Sequence, residues 1–300
     1  MDGENNKNEN YWKLLQNRVQ EHRIEKIFSI FRAEGIEPVL IKGWAAARNY
    51  PQPYLRLSAD IDIAVSPNDY AECQKILGQQ SIVGVDLHCG LRHLDTVSWD
   101  DLFEHSEIIK VDSTDVRVLC AADHFRILCV HWLTDGGVSK DRLRDFFYAI
   151  ENCPTDFDWE RCLSVVSETR KQWILCVVGL TVRYLELNVE HTPFAKKEIN
   201  LPNWVIKTVE KEWKNNVPLK PLQYCLDNRQ EFFQQMQKRL PPNPIQATIL
   251  MEGKFDNKTR LFYQGGSLLL RIKPSLTGIL KTFWRERTHK QSRVKSNQQK

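Results

Sequence analysis

The spacing of apolar residues changes character several times along the first half of the chain. Apolar residues recur at helical intervals over residues 11–34, and Gly35 follows as a helix stop. A second helix is predicted over residues 70–77. The β-rich segments lie at residues 36–41, 60–65, 83–91 and 108–119, the last of them with the pattern of a hairpin. This half is therefore predicted to combine helices with a small sheet.

Beyond residue 120 the helical spacing predominates. The predicted helices cover residues 123–133, 139–152, 158–171, 173–188, 201–214 and 228–240. Pro241-Pro242 interrupts the pattern, and Gly265-Gly266 predicts a turn or linker. The predicted fold class is α+β, with a small mixed sheet in the N-terminal core followed by a mostly α-helical domain.

The same changes of pattern suggest the domain boundaries. The polar residues 1–10 are predicted to be disordered. Residues 11–120 are predicted to form the α/β core, and residues 121–284 the helical domain. Residues 285–300 are predicted to be a basic, disordered tail.

Charge separates this tail from the rest of the protein. The formal net charge is +4, but residues 285–300 hold six Lys or Arg and one Glu, a net of +5, which leaves −1 for the first 284 residues. A balanced body excludes a generally cationic nucleic-acid-binding domain. Nucleic acid and an anionic membrane surface remain as partners for the tail, against the alternative of a solvated chain end.

Cysteine spacing and hydropathy exclude several further classes of protein. The eight cysteines form no C-x-x-C pair, which excludes a zinc ribbon and a thioredoxin-like motif. The first ten residues contain no apolar segment of a secretory signal. The longest uncharged apolar run, residues 173–182, is too short to span a bilayer. A soluble cytoplasmic protein without a transmembrane segment and with reduced thiols is expected.

Three acidic residues on neighbouring predicted strands are the main candidates for chemistry. Asp60 and Asp62 stand at positions i and i+2, so their side chains point to one face about 7 Å apart. Asp86 lies on the next strand. Carboxylates held together repel one another unless a cation separates them, and carboxylate oxygens suit Mg²⁺. The pattern indicates a site for two Mg²⁺ ions, with Mn²⁺ as the alternative, of the kind that supports phosphoryl transfer. The competing interpretation is a solvated strand face.

Two further features bear on this site. Lys42-Gly43 ends the first predicted strand, and a glycine lets the backbone approach a phosphate closely. His88 shares the strand face of Asp86, and both a contact with the site and a hydrogen-bonded strand histidine remain open. For Arg56 the alternatives are a phosphate contact and a surface arginine in a Pro-rich loop.

These residues carry a family resemblance. The chain resembles the uncharacterised branch of the DNA-polymerase-beta-like nucleotidyltransferase superfamily in Val39-Leu-Ile-Lys-Gly43, Tyr50-Pro51, Arg56, Asp60-Ile-Asp-Ile-Ala-Val65 and Val85-Asp-Leu-His88. The similarity continues in Leu128-Cys-Val-His131 and Arg142-Leu-Arg-Asp-Phe146, and so covers residues 25–150.

The resemblance implies a nucleotidyltransferase core and a metal-dependent reaction. A nucleoside monophosphate group would pass from an NTP, ATP by default, to an unidentified acceptor, with release of pyrophosphate. The metal-binding catalytic residues would be Asp60, Asp62 and Asp86, the last near the acceptor hydroxyl. The nucleotide-binding residues would be Lys42, Gly43, Arg56 and Ser58.

The chain also departs from the family pattern. The first strand is usually followed there by Gly-Gly or Gly-Ser, whereas this chain has Lys42-Gly43-Trp44. The connection over residues 78–82 is short. These departures motivate the alternative of a catalytically inactive nucleotide-binding or regulatory protein on the same fold. A third hypothesis is a nucleic-acid-modifying enzyme that uses the basic tail as an anchor.

Overall fold

The computed structural model describes two compact units. It covers residues 2–91, 97–195, 199–215, 217, 219–225 and 228–270. The first unit consists of Met1–Trp132 and Ser139–Leu201, and the second of Leu133–Val138 and the chain from Pro202 onward. The predicted basic tail at 285–300 lies outside the described residues, and the predicted domain boundaries stay predictions.

The first unit contains the sheet. Its strands are β1 (Val39–Leu40), β2 (Ile61–Val65), β3 (Val85–Cys89), β4 (Glu107–Val111) and β5 (Thr114–Val118). The helices in this part of the chain are α1 (Asp2–Ala33), α2 (Gly43–Ala47), α3 (Tyr70–Gln79), α4 (Trp99–Glu104), α5 (Ala121–Thr134), α6 (Leu143–Glu151), α7 (Trp159–Ser164) and α8 (Glu168–Leu185). A 3-10 turn at Pro53–Leu55 precedes β2.

The sheet is mixed and has the strand order β3-β2-β1-β5-β4. β2 pairs with β3 and β1 pairs with β5 in parallel, whereas β1 with β2 and β4 with β5 are antiparallel. Such a sheet followed by helices confirms the predicted α+β class. The first predicted strand is longer than the observed one, because only Val39 and Leu40 of the apolar run 36–41 enter the ladder.

Both faces of the central strands are covered. Ile61, Ile63 and Val65 of β2 belong to the apolar layer that includes α1 and α3. Ala64 of β2 belongs to the second layer, with residues of α4 and α5. Since side chains alternate along a strand, Asp62 points towards the face of Ala64. An acidic residue is thus carried by a strand that is buried throughout.

Helix α1 closes the first apolar layer. Four residues at helical spacing, Ile24, Ile27, Phe28 and Phe31, are buried in that layer. Gly35 then adopts a φ of 76°, and the amide of Ile36 donates to the carbonyl of Phe31, which ends the helix as the sequence predicts. The helix begins at Asp2 and so includes most of the polar segment 1–10.

The second unit is helical in its described residues. Its helices are α9 (Asn203–Asn215), α10 (Arg229–Arg239) and α11 (Pro244–Leu250), and residues 260–270 are also helical. Asn243 caps α11, because its side-chain oxygen accepts from the amides of Ile245 and Gln246. The predicted turn at Gly265-Gly266 is wrong. A Cβ at Gly266 would lie 2.8 Å from Cε of Met251, so this glycine allows close packing inside a helix.

In the described part of the chain, no helix has both the length and the apolar character needed to cross a bilayer.

Candidate metal and nucleotide site

Parallel pairing of β2 with β3 brings two of the predicted carboxylates together. Asp62 pairs with Asp86 and Ala64 with His88 in the strand register. Because side chains alternate along both strands, Asp62, Asp86 and His88 project from the same face of the sheet. The Asp62 side chain is only 9% exposed, whereas that of Asp86 is 52% exposed. One carboxylate is therefore buried and the other faces solvent.

Lys42 provides a positive charge at these carboxylates. Its Nζ lies 2.6 Å from Oδ1 of Asp62 and 3.8 Å from Oδ2 of Asp86. The backbone of Lys42 has a φ of 48°, a left-handed conformation that is uncommon for residues other than glycine. Non-glycine residues in this region cost about 1–3 kcal/mol and are concentrated at functional sites. The residue with this strained backbone is thus the one whose buried ammonium group contacts the Asp62 carboxylate.

His88 completes a group that has the composition of a metal site. Its Nε2 lies 3.0 Å from Oδ2 of Asp86 and 3.6 Å from Oδ1 of Asp62. One donor atom each from Asp62, Asp86 and His88 lies within 4.8 Å of the other two. Burial alone would raise the pKa of Asp62. The His88 imidazole and the Lys42 ammonium outweigh burial and lower the pKa below its usual value, so Asp62 is ionised.

Asp60 lies beside this group and is not a member of it among the described residues. It precedes β2 and is exposed. Its carbonyl oxygen accepts hydrogen bonds from the Gln20 side chain at 2.7 Å and from Oγ of Ser58 at 3.0 Å. The Ser58 hydroxyl also lies 3.5 Å from a carboxylate oxygen of Asp60. Ser58 thus fixes the backbone of Asp60 at the entrance to β2.

Gly43, the first residue of α2, lies close to Ser58 and Asp62. A Cβ at this position would lie 2.9 Å from Oγ of Ser58 and 3.1 Å from Oδ2 of Asp62. A side chain would therefore occupy the space between the serine hydroxyl and the buried carboxylate. Lys42, Gly43 and Ser58, three of the four residues predicted to bind the nucleotide, are all adjacent to Asp60 or Asp62.

We expect Gly43→Ala to impair the site more than the fold. The new methyl group pushes Ser58 and Asp62 apart by a few tenths of an ångström, and small displacements of catalytic groups reduce rates by about 10-fold to 100-fold. The free energy of unfolding should fall by only about 1 kcal/mol, because the Ser58 hydroxyl can rotate away. Assays of nucleotidyl transfer, the activity that the resemblance implies, and urea unfolding measure the two effects.

The matched control for this variant is Gly78→Ala in α3, where a Cβ meets nothing within 4 Å. That variant should keep full activity and lose no stability. If the activity of Gly43→Ala falls only as far as its fraction of folded protein falls, Gly43 has a purely structural role.

Arg56, the fourth predicted nucleotide-binding residue, makes a different set of contacts. Its Nε and Nη2 donate to the two carboxylate oxygens of Asp145 at 2.8 and 3.0 Å, and its Nη1 donates to the carbonyl of Leu57. The Tyr50 hydroxyl donates to the same carboxylate at 2.6 Å. Arg142, three residues before Asp145, is more distant from its carboxylate at 3.7 Å and more exposed.

This second cluster is buried and is built from motif residues. Tyr50, Arg56 and Asp145 come from three separate segments of the family resemblance, and all are at most 8% exposed. Burial raises the pKa of Asp145, and the Arg56 guanidinium opposes this effect. The contacts join the loop before β2 to α6. The sequence analysis does not predict this cluster. The signal for it is that all three residues belong to segments of the family resemblance.

A family model matches part of this chain. Residues 7–84 match the model of a family described as uncharacterised nucleotidyltransferase. This is the family that the resemblance suggests, and the match covers about a quarter of the chain. The matched residues include Lys42, Gly43 and Asp62, whereas Asp86 and His88 follow immediately after it. The description of that family names nucleotidyl transfer as its class of activity.

A solved structure is also similar to part of the chain. It is the crystal structure of an antigenic nucleotidyltransferase-like protein from Paracoccidioides brasiliensis, with 10% sequence identity and a TM-score of 0.40. The match covers 54% of this chain and 87% of that one. None of the curated proteins compared with this chain matches it.

Proposed function

We propose that the protein is a metal-dependent nucleotidyltransferase that moves a nucleoside monophosphate group from an NTP to an acceptor and releases pyrophosphate. The observation that supports this function best is the meeting of Asp62 and Asp86 beside Lys42-Gly43, within 3.8 Å of one ammonium nitrogen. The two carboxylates fit a divalent cation, because each offers an oxygen that faces the other.

A bound divalent ion would offset negative charge on the phosphates and on the leaving pyrophosphate. The side chains of this chain supply the remaining functions. Asp62 and Asp86 would hold the cation. Asp60, whose carboxylate lies beside the Ser58 hydroxyl, would be the third metal carboxylate. Lys42 would contact the triphosphate, whose charge attracts its ammonium group. Gly43 would leave room for the phosphates, because it carries no side chain.

Asp86 has the exposure that a base for the acceptor requires. We assign it the proton of the acceptor hydroxyl. The acceptor oxygen forms a bond to the α-phosphorus, the bond between that phosphorus and the bridging oxygen breaks, and pyrophosphate leaves. The default nucleotide is ATP and the default ion is Mg²⁺, with Mn²⁺ as the alternative.

Label transfer tests this function directly. The protein is incubated with a cell extract and with each NTP labelled at the α- or the γ-phosphate. We expect acceptors to gain the α label, and pyrophosphate to carry the γ label. The transfer should require divalent metal and should be lost in Asp86→Asn but kept in Asp100→Asn, an exposed aspartate of α4. Transfer of the γ label to the acceptor would instead indicate a kinase.

One contact favours the second candidate, a catalytically inactive nucleotide-binding protein on the same fold. The Lys42 ammonium lies 2.6 Å from Asp62 and so neutralises the buried acid without a metal. In that case nucleotide binding would not depend on a divalent ion.

Isothermal titration with ATP separates the two candidates. For the transferase, we expect Mg²⁺ to tighten ATP binding by about tenfold or more, because the ion and the triphosphate share the site. The Lys42→Met variant should weaken the binding of Mg²⁺-ATP, and Lys75→Met, an exposed lysine of α3, should not. Equal ATP affinity with and without Mg²⁺, and no label transfer, would favour the inactive protein.

A further inference from the structure

We propose that His88 is a direct metal ligand, so that the ion is held by one nitrogen and by carboxylate oxygens, and that the site consequently favours Mn²⁺ over Mg²⁺. This inference rests on the proposed function, since it presumes a divalent ion at Asp62 and Asp86. It changes the ligand set, because the resemblance implies three carboxylates and no imidazole.

The distances fit two adjacent ligands of one ion. Donor atoms about 2.1 Å from an octahedral ion lie about 3 Å apart when they are neighbours. The separation of His88 Nε2 from Asp86 Oδ2 is 3.0 Å, and that from Asp62 Oδ1 is 3.6 Å. His88 and Asp86 stand at i and i+2 on β3, which aims both at the position in front of Asp62.

The Nε2 atom of His88 has no hydrogen-bond partner in the described part of the chain. Nε2 of His88 is buried and has no hydrogen bond there of acceptable geometry, despite the nearby oxygen of Asp86. A buried polar atom without a partner is uncommon in folded proteins. A cation bound between the imidazole and the carboxylates would provide that partner.

The donor types determine which ion is preferred. Mg²⁺ is a hard ion that takes oxygen ligands, whereas an imidazole ligand suits transition metals better. Mn²⁺ accepts carboxylate and phosphate oxygens as Mg²⁺ does, and as a first-row transition metal it is less restricted to oxygen ligands than Mg²⁺ is. Exchanging one carboxylate for His88 therefore shifts the preference towards Mn²⁺. The ion must compete with Lys42 for Oδ1 of Asp62.

Pulsed electron paramagnetic resonance of the full chain with Mn²⁺ alone tests the ligand. We expect the echo modulation of a directly bound ¹⁴N nucleus, replaced by the ¹⁵N pattern when only histidine is ¹⁵N-labelled. The modulation should disappear in His88→Gln and persist in His105→Gln, an exposed histidine that follows α4. Modulation that survives in His88→Gln, or bound Mn²⁺ without nitrogen coupling, would overturn the proposal.

Metal affinity provides a second readout that does not depend on catalysis. In His88→Gln we expect the Kd for Mn²⁺ to rise about tenfold and the Kd for Mg²⁺ to change by less than about threefold. An equal change for both ions would also reject His88 as the selective ligand. If neither the wild-type protein nor the variant binds Mn²⁺, the metal requirement of the proposed function fails as well. Tight Mn²⁺ binding through oxygen alone rejects only the role of His88.

Discussion

Replacing Asp62 by Asn is expected to lower the rate of nucleotidyl transfer by about 10³-fold, which corresponds to about 4 kcal/mol in the activation barrier. Asp62 is the central acid of the site, because Lys42 and His88 both contact its Oδ1. The amide keeps the shape of the side chain but removes the charge that would hold a divalent ion. The rate is measured as release of pyrophosphate at saturating NTP and metal.

The stability of this variant has to be measured beside its activity. The substitution would leave the Lys42 ammonium buried without the carboxylate of Asp62, and the loss of a buried partner costs about 3–5 kcal/mol. Circular dichroism and thermal unfolding show whether the variant is folded at the assay temperature. Asp100→Asn provides the control for a change from Asp to Asn elsewhere. Full activity in a folded Asp62→Asn protein would contradict the proposed metal site.

Replacing Arg56 by Met is expected to reduce the free energy of unfolding by about 3–5 kcal/mol. The substitution leaves the carboxylate of Asp145 buried with only the Tyr50 hydroxyl and the more distant Arg142 near it. Exchanging both partners, in Arg56→Met/Asp145→Leu, should recover most of the loss, because no unpaired charge then remains in the interior. Urea unfolding of the single and double variants measures this coupling.

The same experiment distinguishes a structural Arg56 from one that binds phosphate. Arg142→Met is the matched control, since that side chain is 40% exposed and lies 3.7 Å from Asp145. It should cost less than about 1 kcal/mol. If Arg56→Met instead weakens ATP binding and leaves the unfolding free energy unchanged, Arg56 belongs to the nucleotide site and the buried pair contributes little.

Much of the fold is visible in the sequence because it depends on local patterns. The run Ile63-Ala64-Val65 in β2 is apolar because both faces of that strand are buried, and the helical spacing of α1 follows from burial of one helix face. The glycine stop at Gly35 follows from a left-handed backbone that other residues avoid. The turn predicted at Gly265-Gly266 is wrong because glycine also allows two elements to pack closely, and the sequence does not separate these two uses.

The site is only partly visible for a different reason. The grouping of Asp62 with Asp86 follows from their strands, but which residues face one another depends on the parallel register of β2 and β3. That register places His88 in the group and leaves Asp60 beside it. The bond between Arg56 and Asp145 joins residues 89 positions apart, and no local pattern reports such a distance.

The position of β3 in the sheet gives the two sides of the site different local stability. Asp62 belongs to β2, which is hydrogen-bonded to strands on both sides, whereas Asp86 and His88 belong to β3, which is at the end of the strand order. An edge strand opens more readily than a central one, and its amides exchange with solvent faster. The buried acid therefore lies on the more stable side of the site, and the exposed acid and its histidine lie on the side that could adjust to the proposed ion.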